Sequence, residues 1–137
     1  MTRVAAVTGG AGAIGGAIVA GLRAAGHEVV ILDRDGDPPI DLAEPDAVRA
    51  AAAGVLGRHG RCDVLVHAAA AFDRAALPDL DPGTWRRVQA VNVESAVWLA
   101  RDLTPGDIAA AVAFLVSDAA GAITGQTLCA DGGLILR

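Results

Sequence analysis

Val7–Gly16 reads VTGGAGAIGG. It follows a short apolar run, Arg3–Val7, and it precedes Ile14, Ile18, Leu22 and Ala25 at helical spacing, with Gly26 after them. That order is strand, glycine turn, helix. Gly10, Gly12 and Gly15 satisfy G-x-G-x-x-G between the two elements. Residues this small let backbone N–H groups approach a pyrophosphate, and the positive end of the helix stabilises its charge.

The elements beyond this stretch keep alternating. Glu28–Leu32 (EVVIL) reads as a second strand, Asp35–Pro39 (DGDPP) as a turn and Ile40–Leu42 as a short third strand or strand end. Pro45–Leu56 reads as a helix stopped by Gly57, and Cys62–His67 (CDVLVH) as a fourth strand. Thr84 is placed to cap a long helix running to about Leu103. Thr104-Pro105-Gly106-Asp107 starts another helix to Val116, and Gln126–Ala130 (QTLCA) is a last strand. Such alternation, with the glycine motif, predicts one α/β domain over residues 1–137: a Rossmann-like, three-layer fold with a mostly parallel sheet of about five strands.

Asp33 ends the second strand, 18 residues after Gly15. A carboxylate there accepts hydrogen bonds from an adenosine ribose and repels a 2′-phosphate, so NAD is preferred over NADP. Arg34 stands beside it.

On the helix from Thr84, Val88, Val91, Ser95 and Leu99 share one face, and Ala90, Val93, Val97 and Ala100 the opposite one. A helix apolar on both sides is buried on both sides. The second face, with Ala90, Val93, Val97 and Trp98, is the expected contact of a homodimer or of a hetero-association with a relative.

Composition narrows the function. The net charge of −5 provides no positive field for nucleic acid. No apolar run approaches the roughly 20 residues of a membrane helix, and no leader pattern precedes the first strand. Cys62 and Cys129 show no metal-site spacing and read as two thiols of a reducing cytoplasm. Two absences weigh more: the chain has no Tyr, and all 11 basic residues are Arg, so it has no Lys.

The combined motifs resemble the short-chain dehydrogenases/reductases. Thr8-Gly9-Gly10-Ala11-Gly12-Ala13-Ile14-Gly15 is similar to the family's T-G-x-x-x-[AG]-x-G cofactor loop. Asp41-Leu42 resembles its adenine-contacting Asp-apolar pair, and Asp63–Ala70 (DVLVHAAA) its D-x-L-V-N-N-A-G strand. Asn92-Val93 resembles its Asn-Val helix, and Thr104–Gly133 its C-terminal block. The short link between the second and third strands resembles 2,3-dihydro-2,3-dihydroxybenzoate dehydrogenase-like members. The resemblance implies that Thr8, Gly9, Gly10, Gly12, Ala13, Ile14, Gly15, Asp33, Arg34, Asp41, Leu42, Ala68 and Ala69 hold NAD, and that Asn92 is a catalytic counterpart.

Departures from the family are as informative. The family's strand with a catalytic Ser, its Tyr-x-x-x-Lys helix and its nicotinamide turn have no counterpart; the chain passes from Leu103 directly to Thr104. The resemblance therefore implies a shortened Rossmann-like fold whose sheet takes the order 3-2-1-4-last. In the family, Tyr is the general acid/base and Lys lowers its pKa. His67 stands where the family has an Asn, and Ala70 where it has a Gly. His27 and His59 are expected to be solvated. Three readings follow. One is an NAD(H)-binding protein without standard redox activity, retaining the adenosine half-site. Another is a repurposed enzyme (isomerase, dehydratase, cyclase or atypical oxidoreductase) using His67, Asp73, Asn92 or Asp131. The third is an inactive deletion product or engineered minimal fold.

Overall fold

The computed structural model describes residues 2–72 and 79–103. These residues belong to one compact unit that ends at Leu103. The helix expected over 107–116, the strand over 126–130, and Asp73, Arg74, Cys129 and Asp131 lie outside the described residues.

Strand β1 (Val4–Thr8) is buried along its whole length, as its apolar sequence and central position require. It pairs in parallel with β2 (Glu28–Leu32) on one side and β3 (Val64–His67) on the other. The described sheet therefore has three strands in the order β2-β1-β3. This matches the second, first and fourth strands expected from sequence. Thr8 aligns with Leu32 across one ladder and with His67 across the other. The chain reverses its direction of travel across the sheet at β1, so the carboxyl ends of β1, β2 and β3 frame a crevice.

Alternate side chains of β1 face opposite layers. Val4 and Ala6 join a core with Val48, Ala52 and Val55 of α2 (Pro45–His59) and with Leu99 and Leu103 of α4 (Ser95–Leu103). Helix α1 (Ala13–Ala24) packs against β1 and β2, with Gly15 and Val19 buried. The start of the sheet is held by Asp63. Its Oδ2 accepts from the Val4 N–H at 2.8 Å, and its own N–H donates to the Val4 carbonyl at 2.8 Å.

Several expected boundaries shift. Ile40–Leu42 is not a strand. The Ile40 N–H donates back to the Asp33 carbonyl at 2.8 Å, and Asp41 Oδ1 accepts from the Ala43 N–H at 3.0 Å. Local turns thus take the groups a ladder would need, while Ile40 and Leu42 are buried in the core. Helix α2 runs past Gly57 and ends at Gly60, whose φ of 70° is left-handed. The cap of α3 (Pro82–Gln89) is Asp81, not Thr84: its carboxylate accepts from the Gly83 and Thr84 N–H groups, and Pro82 supplies the first helical φ. Five residues, Ala90–Glu94, then form a π turn before α4.

The two faces of this helical stretch divide more sharply than expected. Val91, Ser95, Leu99 and Leu103 are buried, whereas Val93 and Val97 are 50% and 37% exposed, with Trp85 at 52%. Trp98 packs against the core, its ring covered by the Arg101 guanidinium. His59 is not solvated: Nδ1 lies 3.2 Å from Glu28 Oε1. The Nδ1 of His27 is buried without a hydrogen-bond partner among the described residues. No described helix is long and apolar enough to cross a membrane, and no described cluster of His, Cys, Asp or Glu could hold a metal.

Candidate functional site

A cavity of about 590 Å³ opens at the carboxyl end of the sheet. Its floor is the glycine loop after β1, and its shape follows from where a side chain would not fit. Gly9 has φ +66°, and a Cβ on it would lie 2.7 Å from the Ala69 nitrogen and 2.8 Å from its Cα. A Cβ on Gly15 would strike the Gly9 carbonyl. The loop and the 68–71 segment after β3 are thus in backbone contact. This leaves the Gly9–Gly12 face open toward the cavity and toward the start of α1.

Asp33 organises the loop from the next strand. Its Oδ2 accepts from the Ala11 N–H at 3.0 Å and its Oδ1 from the Asp35 N–H at 3.1 Å. The carboxylate and Arg34 both line the cavity. Asp41 lies across from them. Arg87, on α3, reaches over from 46 residues away and holds its carboxylate with both terminal nitrogens at 3.2 Å. The Ala43 N–H, helped by Arg87, keeps the Asp41 carboxyl below its ordinary range despite partial burial.

The far wall comes from the segment after β3, fastened to the π turn. Asn92 Nδ2 donates to the Ala71 carbonyl at 2.8 Å, and its Oδ1 accepts from the Ala71 N–H at 2.7 Å. His67 lies beneath that wall, not among the residues lining the cavity. Its Nε2 is 3.1 Å from the Val91 carbonyl, and its Nδ1 is 2.9 Å from Thr8 Oγ1. Burial pushes the imidazole below its ordinary value, against the Val91 bond that raises it.

The structure therefore brings Gly9, Gly12, Asp33, Arg34, Asp41, Leu42, Ala68 and Ala69 to one cavity. Thr8 and His67 lie behind it, Gly10 and Gly15 are buried in the loop's packing, and Ile14 is exposed at the start of α1. Ala13 is exposed one residue before it. Asp73 lies outside the described residues. Sequence reasoning missed Arg87, Val88, Val91 and Ala71, which also line the cavity. The available signal was helical: Arg87, Val88, Val91 and Asn92 fall on one face.

Charged groups crowd the Asp33 end of the cavity, and uncharged backbone lines the glycine floor. The first suits the hydroxyls of a sugar and the edge of a base; the second suits an anion at a helix start.

Comparison with known proteins identifies the family and the fold. The family model described as short chain dehydrogenase matches residues 3–125. A curated short chain dehydrogenase/reductase, dpchG, from Colletotrichum higginsianum is 33% identical over 114 residues, covering 69% of this chain and 42% of that protein. A metagenomic short-chain oxidoreductase solved with NADP is 35% identical, with a TM-score of 0.73 over 79% of this chain and 57% of that one. A short-chain family oxidoreductase from Brucella ovis, solved with a partially ordered NAD, is 25% identical, with a TM-score of 0.67 over 75% of this chain and 56% of that one. The chain spans about half the length of these relatives.

Proposed function

Since this chain belongs to the short-chain dehydrogenase/reductase family, we propose that it binds NAD(H) through the adenosine half of the family site and does not carry out standard dehydrogenation. The observation that carries this reading is the glycine floor. Side chains at Gly9 and Gly15 would strike backbone, so the loop has the close-packed form of a G-x-G-x-x-G turn, which brings the start of α1 to the cavity, where a pyrophosphate would meet the helix's positive end. Asp33, already fixed by Ala11 and Asp35, keeps lone pairs free for ribose hydroxyls and places its negative charge where a 2′-phosphate would lie. We therefore assign NAD over NADP. Asp41 and Leu42 stand at the base, and Ala68 and Ala69 along the ribose side.

A bound nicotinamide would supply hydride chemistry. The chain's own residues provide no partner for it of the family's kind, because Tyr and Lys are absent from the sequence. Both ends of the Asn92 amide and both nitrogens of His67 are engaged with protein. This supports a role in holding the cavity wall over an acid/base one for these two residues.

The exposed Trp85, Val93 and Val97 supply an apolar surface for association with a second copy or with a full-length relative, which sedimentation measurements test. A fluorescence titration with NADH and NADPH tests the binding reading. NADH is expected to bind, and NADPH more weakly. Failure of both to bind at millimolar concentration overturns it.

A further inference from the structure

We propose that His67 is a positioning residue that makes nucleotide binding acid-sensitive: its neutral ring fastens the cavity wall and the glycine loop to the π turn, and protonation releases them. This deepens the nucleotide-binding reading above and rests on it.

The hydrogen-bond network assigns the ring's tautomer. The Val91 carbonyl can only accept, so His67 Nε2 carries a proton and donates to it. A neutral ring has one such proton, which leaves Nδ1 as an acceptor. The Thr8 hydroxyl must then donate to Nδ1, while Thr8 Oγ1 accepts from the Ala69 N–H at 3.1 Å. The chain of donors therefore runs Ala69 to Thr8 to His67 to Val91, with a direction set at each step.

The π turn makes its last member available. The Ser95 N–H donates to the Ala90 carbonyl, five residues back. It is therefore not used on Val91, whose carbonyl accepts the His67 ring and the Ser95 hydroxyl at 2.8 Å. A regular α-helix would direct the Ser95 N–H to Val91.

Protonation reverses one direction in this chain. With both ring nitrogens donating, Thr8 Oγ1 faces two donors, His67 Nδ1 and the Ala69 N–H. Its own proton, on a fully buried side chain, loses its acceptor. Thr8 immediately precedes Gly9, and Ala69 is the residue against which Gly9 packs. Thr8 Oγ1 can accept from both donors, but a hydroxyl that turns to find a new acceptor for its proton draws its lone pairs off the Ala69 N–H, and a loosened Thr8–Ala69 contact displaces the cavity floor and one wall together. Among the described residues, no opposite charge is at hand to offset a protonated ring. In Val4–Thr8, residues 68–71 and Ala90–Glu94, the one charged residue is Glu94, which is exposed, and in α4 Arg101 and Asp102 pair with each other.

The test is the affinity for NAD+, whose pyrophosphate charge is constant over the range, from pH 8 to pH 5.5. Wild-type, His67→Asn and His67→Gln chains are compared, with circular dichroism confirming the fold at each pH. Asn keeps an acceptor for Thr8, Gln keeps a donor for Val91, and neither titrates. Wild-type affinity is expected to fall with acidification, with a limiting slope of about tenfold per pH unit for one proton. At least one variant is expected to bind within about threefold of wild type at pH 8 and to show no such slope. A flat wild-type profile, or the same slope in both variants, overturns the proposal. If NAD+ binds at no pH, the nucleotide-binding reading fails, and nitrogen NMR decides the His67 tie by itself. The Gly9 and Ala69 amide shifts must then follow the His67 ring titration if the tie stands, and ignore it if the tie is wrong.

Discussion

Replacing Gly9 by Ala tests the glycine floor most sharply. At φ +66° an L side chain is in the left-handed region, which costs about 1–2 kcal/mol. The new Cβ would also lie 2.7–2.9 Å from three backbone atoms of Ala68 and Ala69. Backbone cannot swing aside as a side chain end can, so the overpacking adds about 1–3 kcal/mol. Together these predict a loss of about 2–5 kcal/mol in stability, and a drop in NAD+ affinity, because both walls that meet at Gly9 must move. The control is Gly54→Ala, in the exposed interior of α2 with nothing within 4 Å of the added carbon. There the same methyl group should stabilise by about 0.5–1 kcal/mol. Urea unfolding of both variants, with calorimetric titration of each, gives the comparison. If Gly9→Ala matches wild type within about 0.5 kcal/mol and binds NAD+ equally well, the close-packed loop is wrong.

Other perturbations probe the surrounding ties. Asn92→Ala leaves the Ala71 N–H and carbonyl without their partners and should cost about 1–3 kcal/mol, read from the urea midpoint. Leu99→Ala opens a cavity beside α2 in a fully buried position and should cost about 2–5 kcal/mol in the same assay. A double-mutant cycle on Arg87 and Asp41, both partly exposed, should return only about 0.2–1 kcal/mol of coupling; a much larger value would mean the fork is far better shielded than its exposure indicates. His67 binds its proton more weakly folded than unfolded. Its contribution is therefore complete above the ordinary histidine value of 6.5 and is lost as pH falls, so wild type should lose stability relative to His67→Asn on acidification.

What the sequence made legible is local. The run from Val4 to Asp33 announces strand, loop, helix and carboxylate through spacing and glycine alone, and the structure forms each of them within that stretch. What it hid depends on distant partners or on competing local signals. The Arg87–Asp41 fork joins residues 46 apart, and no local pattern marks it. The π turn coincides with the Asn92 and His67 contacts to the wall, which appear only once β3 and the helix meet. Ile40–Leu42 has the apolar alternation of a strand, but two preceding prolines lack N–H groups and Asp41 closes a turn on Ala43. Gly57 and Gly60 are equally plausible helix stops by composition, and only the chain's left-handed step selects Gly60. Asp81 and Thr84 compete as caps in the same way, and Asp81 wins because its carboxylate reaches both the Gly83 and Thr84 amides.

The central claim is that this chain holds the adenosine half of a dinucleotide and little of the nicotinamide half. Parallel calorimetric titrations with NAD+ and AMP measure this directly. The account predicts that both bind and that their affinities agree within about tenfold, a difference of at most about 1.4 kcal/mol. Absence of binding by either ligand at millimolar concentration, or NAD+ binding more than about a hundredfold tighter than AMP, would contradict it.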